Sequence, residues 1–275
     1  MTLDLAAARE TYQRDGVVYL PQVLAPADVA AALAAYEWSL AHPGPGASKI
    51  QQRTDALFYQ DLCNTDCIPA YRDMLQSSPL PKVIADLWGT PDVWFMYEQV
   101  FLKEGGESRR TPWHQDSSYL AVGGDDLAVA WITFDAQSKE DSLEFVKGSH
   151  KGTLYDGSRF DLDDETLPIY PGDQLPRLPD IEGHRGDFDI VSFAVEPGDV
   201  VMFHPKMLHG GGATHMGKRR RTLTLRFFGK NAFYETRPLP AGPRVPGLHS
   251  LKPGEPFRND GFLKLLSATD RIGAA

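Results

Sequence analysis

The chain has 275 residues, with Lys+Arg 28 against Asp+Glu 37 for a net charge of −9, and it is 42% hydrophobic and 24% charged. That length buries a full core as one large domain or two small ones, and the composition excludes a disordered or coiled-coil protein. The acidic balance argues against nucleic acid or an anionic membrane as the main partner. No apolar run approaches the roughly 20 residues of a membrane helix.

The first residues carry no basic-then-apolar leader pattern, and Cys63 and Cys67 are the only cysteines. The expectation is therefore a cytoplasmic protein with two reduced thiols. Gly 25 and Pro 21 are in excess and imply many turns and short strands.

In chain order, Leu5 to Arg14 reads as a helix. Val17 to Leu20 is a short strand closed by Pro21. Pro26-Ala27-Asp28 opens an Ala-rich helix to about Leu40, which stops before His42-Pro43-Gly44-Pro45-Gly46. Further helices are predicted over 69–76 and 80–88, so the first 90 residues or so read as helical. From Val93 the pattern changes to strands, at 94–103, 113–119, 127–134, 143–146, 190–195, 199–204 and 222–229. Many short strands without long intervening helices predict an antiparallel barrel or sandwich. Residues 151–189 interrupt this rhythm with Pro168, Pro171, Pro176, Pro179 and many aspartates. A loop of that length predicts a lid.

The chemistry concentrates in Thr111-Pro112-Trp113-His114-Gln115-Asp116. Read as a strand, this places the His114 imidazole and the Asp116 carboxylate on one face. His209, between a strand and the Gly210-Gly211-Gly212 turn, is the candidate third ligand. Two histidines and a carboxylate make a facial set suited to non-haem Fe(II) and oxygen chemistry. Eleven residues after His209 lies Arg220. In a strand, Arg220, Thr222, Thr224 and Arg226 share one face, and Arg220 with Thr222 can grip a carboxylate. His204, at a strand end before Pro205, and His150 read as structural. A non-redox metal enzyme of cupin type, or a non-catalytic binding protein on the same scaffold, stays open on the residues alone; the first would have no need of Arg220.

These residues, together with Tyr12-Gln13-Arg14-Asp15-Gly16-Val17-Val18, Gly148-Ser149-His150-Lys151-Gly152 and Pro197-Gly198-Asp199-Val200-Val201-Met202-Phe203-His204-Pro205, resemble the phytanoyl-CoA dioxygenase family of Fe(II)/2-oxoglutarate oxygenases. The resemblance implies a mainly β double-stranded β-helix, a cupin-like jelly roll with flanking helices. One domain would span 1–275: a helical region over 1–92, a core over 93–230 carrying the insertion 151–189, and a tail over 231–275. It implies His114, Asp116 and His209 as iron ligands and as the catalytic centre, with Arg220 holding the far carboxylate of 2-oxoglutarate. Gln99, Trp131, Thr111 and Thr222 would line the cosubstrate pocket. The cofactors are then Fe(II), 2-oxoglutarate and O2, and the partner a small-molecule substrate, with oligomeric state open.

Lys147 stands where the family commonly has Pro. Gly210-Gly211 replaces the common Gly-Ser, which leaves Thr222 to supply the hydroxyl. The presence of Asp116, which related halogenases replace with a small residue, favours hydroxylation over halogenation. Ser118 and Tyr119, continuing the strand from Asp116, are the expected substrate contacts. The acidity of 156–165 favours a polar or cationic substrate, and Arg109 and Arg110 at the mouth oppose that preference.

Overall fold

The structure is a computed structural model describing residues 3–267, apart from 171, 216, 239–242, 244 and 246. Pro171 of the long insertion and the end of the tail therefore lie outside the described residues. Helix α1 (Leu5–Asp15) starts where Asp4 accepts from the backbone N–H groups of Ala6 and Ala7, and it ends at Gly16 with φ +78°. Strand β1 (Val17–Leu20) follows, and then α2 (Pro26–Ala41), with Pro26 in its first turn and Asp28 accepting from the Ala25 N–H at 3.0 Å. Next come β2 (Ser48–Lys49), β3 (Leu57–Leu62), α3 (Ile68–Ser77), α4 (Leu80–Trp88) and the long β4 (Val93–Glu104).

The remaining strands are β5 (Thr111–His114), β6 (Val122–Gly123), β7 (Leu127–Thr133), β8 (Leu143–Val146), β9 (Ile190–Ser192), β10 (Val200–Phe203), β11 (His209–Gly211), β12 (Arg220–Gly229), β13 (Phe233–Tyr234) and β14 (Lys264–Leu266). The large sheet runs β1-β10-β7-β12-β4-β3-β2, with β14 also on β4, and the small sheet runs β5-β11-β8-β9. The paired strands are antiparallel. The architecture is the expected mainly β jelly roll.

Alternation explains how the sheet serves two environments. On β7, Ala128, Ala130 and Ile132 join Leu223, Leu225 and Phe227 of β12 in the core beneath the helices. On the same two strands, Trp131, Thr222, Thr224 and Arg226 face a cavity between the sheets. The helices thus seal the outer apolar face of the large sheet, and its inner face is free to be polar.

Two local expectations are corrected. The first 90 residues are not simply helical: β3 pairs with β4 and β2 with β3, which widens the large sheet. Leu57–Leu62 reads LFYQDL, without period-two alternation, so its strand character comes from its partner. The strand expected over 113–119 stops at His114, and Asp116–Tyr119 forms a 3₁₀ turn. The ladder ends there because His114 faces His209, the first residue of β11. The buried Gln115 side chain then ties the chain to Thr153, Tyr155 and Lys206.

Candidate metal centre

His114 and His209 are cross-strand neighbours on β5 and β11, with ring centroids 4.2 Å apart. Each imidazole uses Nδ1 on the carbonyl two residues before it, Pro112 at 2.8 Å and Met207 at 2.9 Å. The two rings, tilted 46° to each other, are thereby fixed with both Nε2 atoms toward Asp116. Asp116 Oδ1 lies 3.6 Å from His114 Nε2 and 3.9 Å from His209 Nε2. One ligand atom from each of the three residues falls within 4.8 Å of the others, and all three side chains are buried. Asp116 reaches this place through the 3₁₀ turn and not through strand alternation.

The electrostatics favour a cation. Burial and the neighbouring His114 push His209 down to about 3, so it presents a neutral lone pair. Burial alone would raise the Asp116 carboxyl. The Arg226 guanidinium, with help from the two histidines, overcomes this and holds it far below the usual carboxylate range. Arg226 Nη2 and Nε donate to Asp116 Oδ2 at 2.7 and 3.2 Å. Two imidazoles and one carboxylate are the donor set a ferrous ion takes, and this trio fits it.

The triad opens into a cavity of about 610 Å³. Arg220, Thr222, Gln99, Trp131 and Thr111 all lie in its wall. Arg220 is buried and donates to the Asp141 carbonyl at 2.5 Å, while its Nε has no partner among the described residues. Burial lowers its guanidinium to about 10, so it still carries its charge. A Cβ at Gly212, where φ is +70°, would collide with Arg220 Nη1. The glycine is therefore what admits the guanidinium. Gln99 also has a second attachment: its amide oxygen accepts from Arg226 at 2.8 Å and its nitrogen donates to Gln60 at 3.1 Å.

Ser118 and Tyr119 depart from the strand reading. Ser118 is fully buried and its hydroxyl donates to the Tyr155 carbonyl, because the 3₁₀ turn rotates it away from the triad. Tyr119 packs its ring edge-on to His114, and its hydroxyl is spent on the Ser158 carbonyl. His204 lies outside the cavity, with Nε2 3.2 Å from the Gly124 carbonyl and Nδ1 accepting from Lys206 N–H. Arg226 and Phe160 are two cavity residues that the sequence leaves without a role. Arg226 shares the parity of Arg220, which is its available signal.

Of the long insertion, the stretch around Phe160 reaches the cavity. Phe160 enters the wall and stands edge-on to His114 at 5.2 Å. Arg109 donates to the carbonyls of Phe160 and Asp161, and Arg53 donates to Leu162 and Asp163. Asp161 and Asp164 accept from backbone N–H groups two or three residues further on, and Glu165 pairs with Arg110. Much of the charge weighed in choosing a substrate is thus consumed locally.

The phytanoyl-CoA dioxygenase (PhyH) family matches residues 12–222, about three quarters of the chain. The chain belongs to the phytanoyl-CoA dioxygenase family. Among curated members, peroxisomal phytanoyl-CoA dioxygenase of Homo sapiens is 24% identical over 170 residues, covering 59% of this chain and 48% of that protein. A probable alpha-ketoglutarate-dependent hypophosphite dioxygenase of Stutzerimonas stutzeri is 29% identical over 122 residues, covering 44% and 40%. The chain spans about half the length of the curated relatives it matches. In fold it resembles the epimerase SnoN, solved with Fe3+, alpha ketoglutarate and nogalamycin RO, with TM-score 0.71, 21% identity and coverage of 95% and 98%. It also resembles the carbocyclase SnoK, with TM-score 0.70, 22% identity and coverage of 94% and 95%. Among the described residues, no helix is long and apolar enough to cross a membrane.

Proposed function

We propose that this family member is an Fe(II)- and 2-oxoglutarate-dependent dioxygenase that hydroxylates a C–H bond of a small organic molecule. The observation that carries the reading is the buried grouping of His114, Asp116 and His209 in one cavity with Arg220. A non-redox metal site would leave Arg220 unexplained, a buried cation whose hydrogen bond among the described residues goes to a backbone carbonyl.

When bound, ferrous ion and 2-oxoglutarate supply the oxidant, formed from O2 with release of succinate and CO2. His114, Asp116 and His209 would hold the metal. Arg220 would take the distal carboxylate of the cosubstrate, beside the Thr222 hydroxyl. The ring of Trp131 and the amide of Gln99 would wall its carbon chain. Phe160 and the packed segment behind it would keep bulk water from the reacting face.

The substrate enters on the Phe160 side, since the opposite end is taken by Arg220. We place the protein in the cytoplasm, a reading supported by the thiols Cys63 and Cys67, neither of them in a disulfide. The test is succinate release. With Fe(II) and 2-oxoglutarate in air, the purified protein should form succinate slowly without substrate, and His209→Ala should form none. Equal succinate from wild type and His209→Ala, or none without added substrate together with no 2-oxoglutarate binding, would sink the reading.

A further inference from the structure

Arg226 crosses from the large sheet to the triad, a residue pair 110 positions apart in sequence. Its two contacts to Asp116 fall on one oxygen, Oδ2, while Oδ1 faces the histidine Nε2 atoms. The guanidinium therefore divides the carboxylate into one oxygen held by protein and one left for a cation. The arginine is itself fixed on other sides. Its Nη2 also donates to Gln99 Oε1 at 2.8 Å, and its plane lies over the Tyr97 ring at 4.7 Å. Gln99 is oriented in turn by Gln60, which donates to Ser48 on β2 at 3.2 Å. A polar chain thus runs from Asp116 through β12, β4 and β3 to β2.

We propose that Arg226 is a positioning residue that locks Asp116 into one-oxygen ligation of the metal, with Gln99 holding Arg226 in place. The proposal rests on the metal reading above. Two effects oppose each other. As a cation next to a cation site, Arg226 weakens metal binding by repulsion, so its removal would tighten binding if charge ruled. As the partner of Oδ2, it fixes the ligand orientation, and loss of such outer partners typically costs about 10–100-fold in metal affinity. The geometry favours orientation, because both N–H bonds converge on a single buried oxygen from a side chain held on two further sides, by Gln99 and by the Tyr97 ring. One-oxygen ligation also leaves a position free for the cosubstrate, which two-oxygen ligation would occupy.

The experiment is anaerobic titration of the full chain with Mn(II) alone, by calorimetry, with no cosubstrate. Arg226→Met is expected to bind about 10–100-fold more weakly than wild type. Arg226→Lys keeps the charge but loses the planar fork, and is expected to lose at least about 10-fold. Gln99→Leu leaves both bonds to Asp116 but frees the guanidinium, and is expected to lose a few-fold. Tighter binding in Arg226→Met, or wild-type affinity in Arg226→Lys, overturns the positioning role. If Arg226→Met does not fold, Arg226→Lys decides, and wild-type affinity in it overturns the role. No binding in wild type overturns the metal reading itself, a separate outcome, since a sound metal site with a passive Arg226 binds Mn(II) in every one of these variants.

Discussion

Two carboxylates are buried on opposite sides of β4 and β12, and their surroundings drive them to opposite states. On the cavity side, Asp116 meets a guanidinium and two imidazoles and stays ionised despite being buried. On the far side, Glu98 meets the Asn64 N–H at 3.0 Å and the Cys67 thiol at 3.2 Å, with no ion pair among the described residues. Burial lifts the Glu98 carboxyl to about 7. Burial acts in the same direction on both, so the neighbours decide. A charged buried carboxylate is a ligand in waiting; one lifted toward neutrality keeps its proton up to about pH 7 and behaves below that as part of the core.

The largest break in this contrast is expected at Asp116. Asp116→Asn should abolish Mn(II) binding and leave Arg226 as an uncompensated buried charge, costing about 3–5 kcal/mol of stability by urea denaturation. Glu98→Gln should cost little by the same measurement at about pH 5.5, since burial keeps the Glu98 carboxyl protonated below about 7. Equal losses in the two variants would erase the distinction.

The second test runs along β12, where neighbouring arginines face different environments. Arg220→Ala should raise the 2-oxoglutarate concentration needed for succinate release by about two to four orders of magnitude, as loss of one partner of a buried charge pair implies. Arg221 points outward and pairs with Asp135 at 2.9 Å. Arg221→Ala should cost about 1 kcal/mol of stability or less and leave the cosubstrate requirement unchanged. The reverse pattern would show that the strand presents its faces the other way round.

The smallest effect is in pH dependence. Glu98 has a folded value above its unfolded one, so the folded state holds the extra proton between about 4.5 and 7. Its contribution to stability is therefore present below that window and is lost as pH rises through it. Glu98→Gln should melt a few degrees above wild type at pH 8 and converge with it near pH 4.5. A difference that grows toward low pH would mean that Glu98 is ionised in the fold.

How far the sequence can be read follows from which interactions are local. Alternation on β12 is legible because Leu223, Leu225 and Phe227 are apolar while Thr222, Thr224 and Arg226 are not, and a jelly-roll sheet buries both sets on opposite faces. Strand alternation sets Asp116 beside His114, and the residue is there, but a 3₁₀ turn delivers it. The same alternation applied one step further misplaces Ser118. The turn depends on Gln115 meeting residues 38 to 91 positions away, which no local pattern encodes. Strand β3 and the Arg226–Asp116 pair stay hidden for the same reason: each is defined by a partner remote in the chain.

The seat of Arg220 on Gly212 has a consequence for the choice of cosubstrate. On the proposed reading, His209 and Arg220 are the two stops of a ruler, and the diacid is measured between them. The glycine is the backstop, since the guanidinium tip occupies the space its missing side chain leaves. A methyl group there would displace the guanidinium tip from its seat and move one stop of the ruler, so on this reading length discrimination among 2-oxo diacids is set by an atom that is not there.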